Sequence, residues 1–191
     1  MLAASTGASE SGQQSKLFKD AMLGFLFRRL TEGPKSGAEL FDRVTREARE
    51  PHWYREGQVP DTLDGRFAVL ATVLALTLAR LEQGKAAGAE ASVALTERFI
   101  AVMESEHREL GLGDPALGKT VRKLVGSLAR RTALWRSAVS GERPWTEAAR
   151  ESLYKGSATP EAIRHSAEAL GQLWTRLEGK SIEELERGEF E

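Results

Sequence analysis

The chain has no cysteine among its 191 residues. That excludes disulfides, thiolate metal centres, cysteine nucleophiles and Cys-x-x-Cys-His haem attachment, and it agrees with a reducing compartment. Alternating strand patterns are nearly absent; Ala, Leu, Glu and Arg recur at helical spacing instead. The formal net charge is only -1, so no global field draws the chain toward DNA or anionic lipid. No uninterrupted apolar run reaches membrane-spanning length; the longest, Phe67 to Ala79, reads as a buried helix. Neither a Gly-x-x-x-x-Gly-Lys loop nor a Gly-x-Gly-x-x-Gly fingerprint occurs. The leader, Met1 to Gln14, contains no Lys or Arg, so neither a secretory signal nor a mitochondrial presequence is expected. Cytoplasm is the default location.

What is present predicts an all-α protein: a compact multi-helix domain with an N-terminal amphipathic helix and a C-terminal helical arm. Residues 1–14 read as a disordered leader, 15–32 as the amphipathic helix, 33–156 as the domain and 157–191 as the arm. The first helix carries an apolar face too broad for a free soluble helix, flanked by basic residues. Phe18, Met22, Phe25, Leu26, Arg28 and Arg29 are its candidate contacts to a membrane or a client. Ser36 is placed to cap a helix running to about Arg49, and Glu50 to Pro60 reads as a loop. A long helix is expected from Thr62 to about Gln83, a small-residue connector from Gly84 to Ala89, and a further helix from Ser92 to Leu110. Gly111 can close that helix, Asp114 can cap the next, and Pro115 suits its first turn. That fifth helix runs to about Val139. Pro144 opens a short helix to Tyr154, Thr159-Pro160-Glu161 starts another ending near Glu178, and Ser181 caps a last fragment.

Two junctions carry most of the remaining information. In Pro60-Asp61-Thr62-Leu63-Asp64-Gly65-Arg66-Phe67, Asp61 stands where an N-cap belongs, and Asp64 adds negative charge at the positive helix end. Gly65 is costly in a first turn, by about 1 kcal/mol against alanine. Another backbone or a partner packing where a Cβ would clash would offset that cost. Arg66 offers a planar donor fork beside this notch. In Arg108-Glu109-Leu110-Gly111-Leu112-Gly113-Asp114, Arg108 suits the negative helix end and Glu109 does not. Arg66, or a basic residue of the fifth helix, is the economical partner for Glu109.

Catalytic and metal readings have less support. Glu104-Ser105-Glu106-His107 supplies one Glu-x-x-His, whereas a di-iron bundle needs two such motifs and two further glutamates. His52 and His165 stand alone in sequence. No catalytic constellation is present, and neither an enzyme nor a cofactor is expected. Between Asp114 and Glu142 lie Lys119, Arg122, Lys123, Arg130, Arg131 and Arg136 with no acidic residue. This run reads either as a solvated face or as a surface for anionic lipid, ribosomal RNA or an acidic partner loop.

From about Ala38 to Gly156 the chain resembles the ubiquinol–cytochrome c chaperone family. The resemblance is carried by Trp53-Tyr54, Val59-Pro60-Asp61-Thr62, Gly65-Arg66-Phe67 and Arg108-Glu109 through Asp114, and more weakly by Gly118-Lys119 and Leu153-Tyr154. It departs from that pattern at His107, Arg130-Arg131, Trp135 and Ser152. The resemblance implies a non-enzymatic assembly factor that holds newly made cytochrome b before it enters the respiratory bc1 complex. It also implies contact with the ribosome and the inner membrane surface, and a small chaperone partner as in mitochondrial relatives. Tyr54, Asp61, Asp64, Gly65, Arg66, Arg108, Glu109, Asp114, Lys119, Arg122 and Lys123 are then the candidate partner-binding residues. The alternative is a helical membrane-surface module for lipid, quinone or haem.

Overall fold

A computed structural model of the protein describes residues 37–109, 114–156 and 158–190. The amphipathic helix read over 15–32, with Phe18, Met22, Phe25, Leu26, Arg28 and Arg29, lies outside the described residues. The helices are α1 (Ala38–Ala48), α2 (His52–Arg55), α3 (Leu63–Leu81), α4 (Lys85–Glu109), α5 (Asp114–Val139), α6 (Trp145–Leu153), α7 (Pro160–Glu178) and α8 (Ile182–Glu186), with a 3-10 turn at Glu82–Gly84. Among the described residues there is no strand, as the helical spacing predicts.

The most apolar stretch of the chain becomes the central helix, α3. Val69, Val73, Leu74, Leu76 and Leu81 are fully buried, and α1, α5, α6 and α7 all pack against it. By length and composition the helical stretch Leu63–Glu106 could cross a membrane, but 67% of its most apolar window is buried inside the protein. That is the behaviour of a core helix. Two hydroxyls inside α3 are satisfied by back-bonding: Thr72 donates to the Ala68 carbonyl at 2.7 Å and Thr77 to that of Val73 at 3.0 Å. Thr72 also lies 2.5 Å from the buried Ser152 hydroxyl, which accepts the Trp135 indole N–H at 3.2 Å. The Trp135 indole and the Ser152 hydroxyl thus satisfy each other.

Several boundaries differ from the sequence reading, each for a local reason. Gly37 is the residue at the N-cap of α1, at φ +80°, and makes no side-chain cap; Ser36 lies outside the described residues. The loop expected over Glu50 to Pro60 contains α2, which buries Trp53 and directs its indole N–H to the Glu47 carbonyl at 2.8 Å. Of the connector expected from Gly84 to Ala89, Gly84 ends the 3-10 turn and Lys85 to Ala89 begin α4, entered with a positive φ of 55° at Lys85. The small residues serve close approach there. A Cβ at Gly88 would overlap the Leu81 carbonyl, and one at Gly84 would overlap Ile182 of α8.

The start signals downstream act as read. Thr159 accepts from Ala162 N–H at 3.2 Å with Pro160 in the first turn, and Ser181 forms a reciprocal capping box with Glu184. The segment read as a C-terminal arm is helical and packed along its length. α7 buries Leu170, Leu173 and Leu177 against α6 and α3, and α8 and the tail bury Leu185 and Phe190. Arg80 of α3 fixes the end of α7 by donating to the Leu177 carbonyl at 3.1 Å and the Lys180 carbonyl at 2.7 Å. α1 is fixed by charge: the buried Glu47 carboxylate takes Arg43 at 3.1 Å and Arg176 of α7 at 2.5 Å. Arg43 also donates to the Phe190 carbonyl and lies over the Phe190 ring, 4.7 Å from its centre.

Candidate functional site

The turn that leads into α3 projects the densest group of candidate residues. Thr62, in extended conformation, is the N-cap and accepts from Gly65 N–H at 3.2 Å. From sequence alone this role falls to Asp61. Thr62 is the residue placed to reach the N–H three positions on, which leaves Asp61 to accept from Arg66 Nε at 2.6 Å. That hydrogen bond holds the Asp61 carboxyl below its ordinary range. Gly65 is buried, and a Cβ there would overlap the Pro60 carbonyl oxygen. The notch beside it is therefore filled by the chain's own backbone.

Arg66 does not reach Glu109. Both members of the Asp61–Arg66 pair are exposed, and Glu109 is exposed at the end of α4. Asp64 pairs with Lys155, just past α6, at 2.7 Å, again with both side chains in solvent. Pairs of this kind contribute little to stability. Arg66→Ala is accordingly expected to leave the midpoint of urea unfolding unchanged, as measured by circular dichroism.

Between these two ion pairs stands a residue that the sequence reading did not select. Leu63, the first residue of α3, is 81% exposed, the most exposed large apolar side chain among the described residues. Its place at a helix start between polar neighbours gives no periodic signal. Together Asp61, Leu63, Asp64, Arg66 and Lys155 make a ledge with one apolar point and two exposed ion pairs. A shallow cavity of about 420 Å³, lined by Arg143, Glu147, Arg150, Glu151, Tyr154, Lys155 and Gly156, shares Lys155 with the ledge. Its charges partly neutralise one another, Arg143 lying 3.1 Å from Glu151 and 3.8 Å from Glu147.

Tyr54 supports the ledge from behind. Half-buried, it donates to the Ala48 carbonyl at 3.2 Å, and burial pushes its phenol up despite the nearby Arg66 guanidinium. Tyr154 ties the same segment to α7: its hydroxyl lies 2.5 Å from the Gly57 carbonyl, to which it donates, and 2.8 Å from the Ser166 hydroxyl. His52 Nδ1 lies 3.2 Å from His165 Nε2, so two histidines that stand alone in sequence meet in space.

The basic run on α5 divides in two. Arg136 chelates Glu82 with contacts of 2.8–2.9 Å. Arg131 is half-buried, donates to Ser127 and to the Ser152 carbonyl, and has its pKa lowered by burial and by Arg130 beside it. Both are thus engaged within the chain, Arg136 at the surface and Arg131 partly inside. Lys119, Arg122, Lys123 and Arg130 are exposed, and their spacing sets them on one face of α5. Arg108 lies in the last turn of α4 and Asp114 is the first residue of α5; their side chains fall outside the described residues. Among the described residues no group of three or more His, Asp or Glu is arranged to hold a metal ion.

These features define an all-α domain that presents a small mixed apolar and charged ledge and a separate basic helix face. The ubiquinol-cytochrome C chaperone family model matches residues 55–191, and the chain belongs to that family. The match begins within α2, contains the ledge, and continues through α7 and α8, which the resemblance read from sequence did not include. The fold is also that of the crystal structure of the Cbp3 homologue from Brucella abortus. The TM-score is 0.69 and the identity 24%, over 88% of this chain and 94% of that one. No curated protein matches the chain.

Proposed function

We propose that the protein is a non-enzymatic assembly factor of the respiratory bc1 complex, and that its client is newly made cytochrome b. The observation that carries this reading is the family match over residues 55–191. The ledge at the start of α3 is the client contact. Leu63 supplies an apolar anchor, while Asp61, Asp64, Arg66 and Lys155 can exchange their exposed ion pairs for charged or polar groups of a polypeptide. Such exchange costs little, because the pairs are solvated before binding. The basic face made by Lys119, Arg122, Lys123 and Arg130 is a second contact, toward the ribosome or the anionic inner membrane surface where the client is made. The protein then works in the cytoplasm and peripherally on the inner face of that membrane.

Deleting the gene is expected to lower cytochrome b and assembled bc1 complex severalfold while other respiratory complexes persist. Haem spectra and native gels of membranes from cells under respiratory demand read this directly. Unchanged cytochrome b in those membranes would remove the reading.

A further inference from the structure

We propose that His52 and His165 form a pH-sensitive latch that holds the segment leading into the ledge against α7. Their ring nitrogens lie 3.2 Å apart and the rings meet edge to face, 5.3 Å between centres. One imidazole must donate and the other accept, so the contact needs a nitrogen without a proton. A single added proton preserves it: the charged ring donates to the neutral one. A second proton removes the acceptor and sets two cations against each other. The first proton therefore leaves the contact in place, and only the second opens the latch.

The surroundings favour this order. From α1 the Glu47 carboxylate faces His52, but it is already held by Arg43 and Arg176. From the segment itself come Glu50 and Glu56, and from α7 comes His165. Glu161, Arg164 and Glu168 are the charged residues within one turn of His165 along α7. The carboxylates favour a charged His52, yet burial and then His165 outweigh them and hold its pKa below the ordinary 6.5. A histidine depressed in the folded state contributes stability that is complete above about pH 6.5 and is lost as pH falls through the folded value.

What the latch controls follows from connectivity. Gly57 N–H donates to the His52 carbonyl at 2.9 Å and Val59 N–H to that of Trp53 at 3.0 Å. Pro60, the next residue, seats its carbonyl on Gly65 at the ledge. With the latch open, the Tyr154 hydroxyl, the long 3.5 Å Thr159–Gln58 contact and the exposed Asp64–Lys155 pair remain as side-chain ties between this segment and the start of α7 or its approach. Acidification thus loosens residues 57–66. That this alters client binding rests on the function proposed above; the latch itself does not.

The test is a pH titration of the full chain between 7.5 and 5.0, following the histidine ring protons by NMR and hydrogen exchange at residues 57–66. The expected result is a His52 ring that takes its proton below the ordinary 6.5, together with the loss of protection. Protection factors, which are free of the intrinsic pH dependence of exchange, should fall about tenfold as the second proton binds. His52→Gln and His165→Gln, which cannot acquire that charge pair, should each keep constant protection across the range. A His52 ring titrating at the ordinary value, or glutamine variants that lose protection as the native chain does, would overturn the latch. Capture of cytochrome b is read in parallel. If protection behaves as expected but capture does not follow it, the latch stands and the ledge is not the client surface.

Discussion

Replacing Gly65 by alanine is expected to destabilise the protein by about 2 kcal/mol, although alanine is the better helix former. The two effects have opposite sign and different size. Helix propensity favours alanine by about 1 kcal/mol. Against that, the new methyl group would overlap the Pro60 carbonyl oxygen, a backbone atom that cannot rotate away. Overpacking of this kind costs about 1–3 kcal/mol and at times more, and here the obstacle is the chain that enters the helix. Relief requires Pro60 to move, which strains the Val59 N–H bond to the Trp53 carbonyl and displaces a valine that is only 2% exposed. A fall of roughly 5 °C in melting temperature is the corresponding calorimetric signal for a domain of this size. Because Asp61 and Leu63 closely follow the displaced proline in the chain, the same variant is expected to weaken client capture. An equal or raised melting temperature would show that the approach of Pro60 is not a constraint.

A larger loss is expected for Glu47→Ala. This one carboxylate holds Arg43 from its own helix and Arg176 from α7, and the Glu47 side chain is only 7% exposed. Removing it leaves the Arg43 guanidinium, 10% exposed, without an anion in the interior. Breaking a buried pair while one partner remains costs about 3–5 kcal/mol, because the remaining charge has lost its compensation. Arg43 also donates to the Phe190 carbonyl, so the C-terminal tail should loosen first, visible as increased exchange at residues 186–190. Urea unfolding of Glu47→Ala and of Glu47→Gln separates charge from hydrogen bonding. The glutamine variant retains an acceptor and is expected to lose less.

Much of this fold could be read from local chemistry. The long apolar run around Val73 had to be a core helix, and Thr159-Pro160 and Ser181 through Glu184 mark helix starts by side-chain geometry alone. Gly65 was legible as a place of close approach because an unoccupied first-turn glycine is costly. The identity of the approaching group was not, since Pro60 lies on the same chain and a partner would have left the same signal. Thr62 and Asp61 compete for one cap, and only the position of Arg66 shows that Asp61 is engaged elsewhere. The corner at Lys85 depends on α8 approaching at Gly84 and the end of α3 at Gly88, which a run of small residues does not reveal. The histidine pair is separated by 113 positions, and no local rule joins residues so distant. Leu63 escaped notice for the opposite reason: an isolated leucine is ordinary in sequence, and only its exposure makes it informative.

The proposed function turns on whether the ledge at the start of α3 holds cytochrome b. Affinity recovery of cytochrome b with the tagged full chain, compared between the native protein and Leu63→Glu, tests it most directly. Glutamate at the first position of a helix favours the helix dipole, so this variant is expected to fold and to melt close to the native protein. The native chain is expected to recover cytochrome b selectively over other membrane subunits, and Leu63→Glu to lower recovery by about tenfold or more, as loss of a central apolar anchor does. Equal recovery of cytochrome b by the native chain and by folded Leu63→Glu would contradict it.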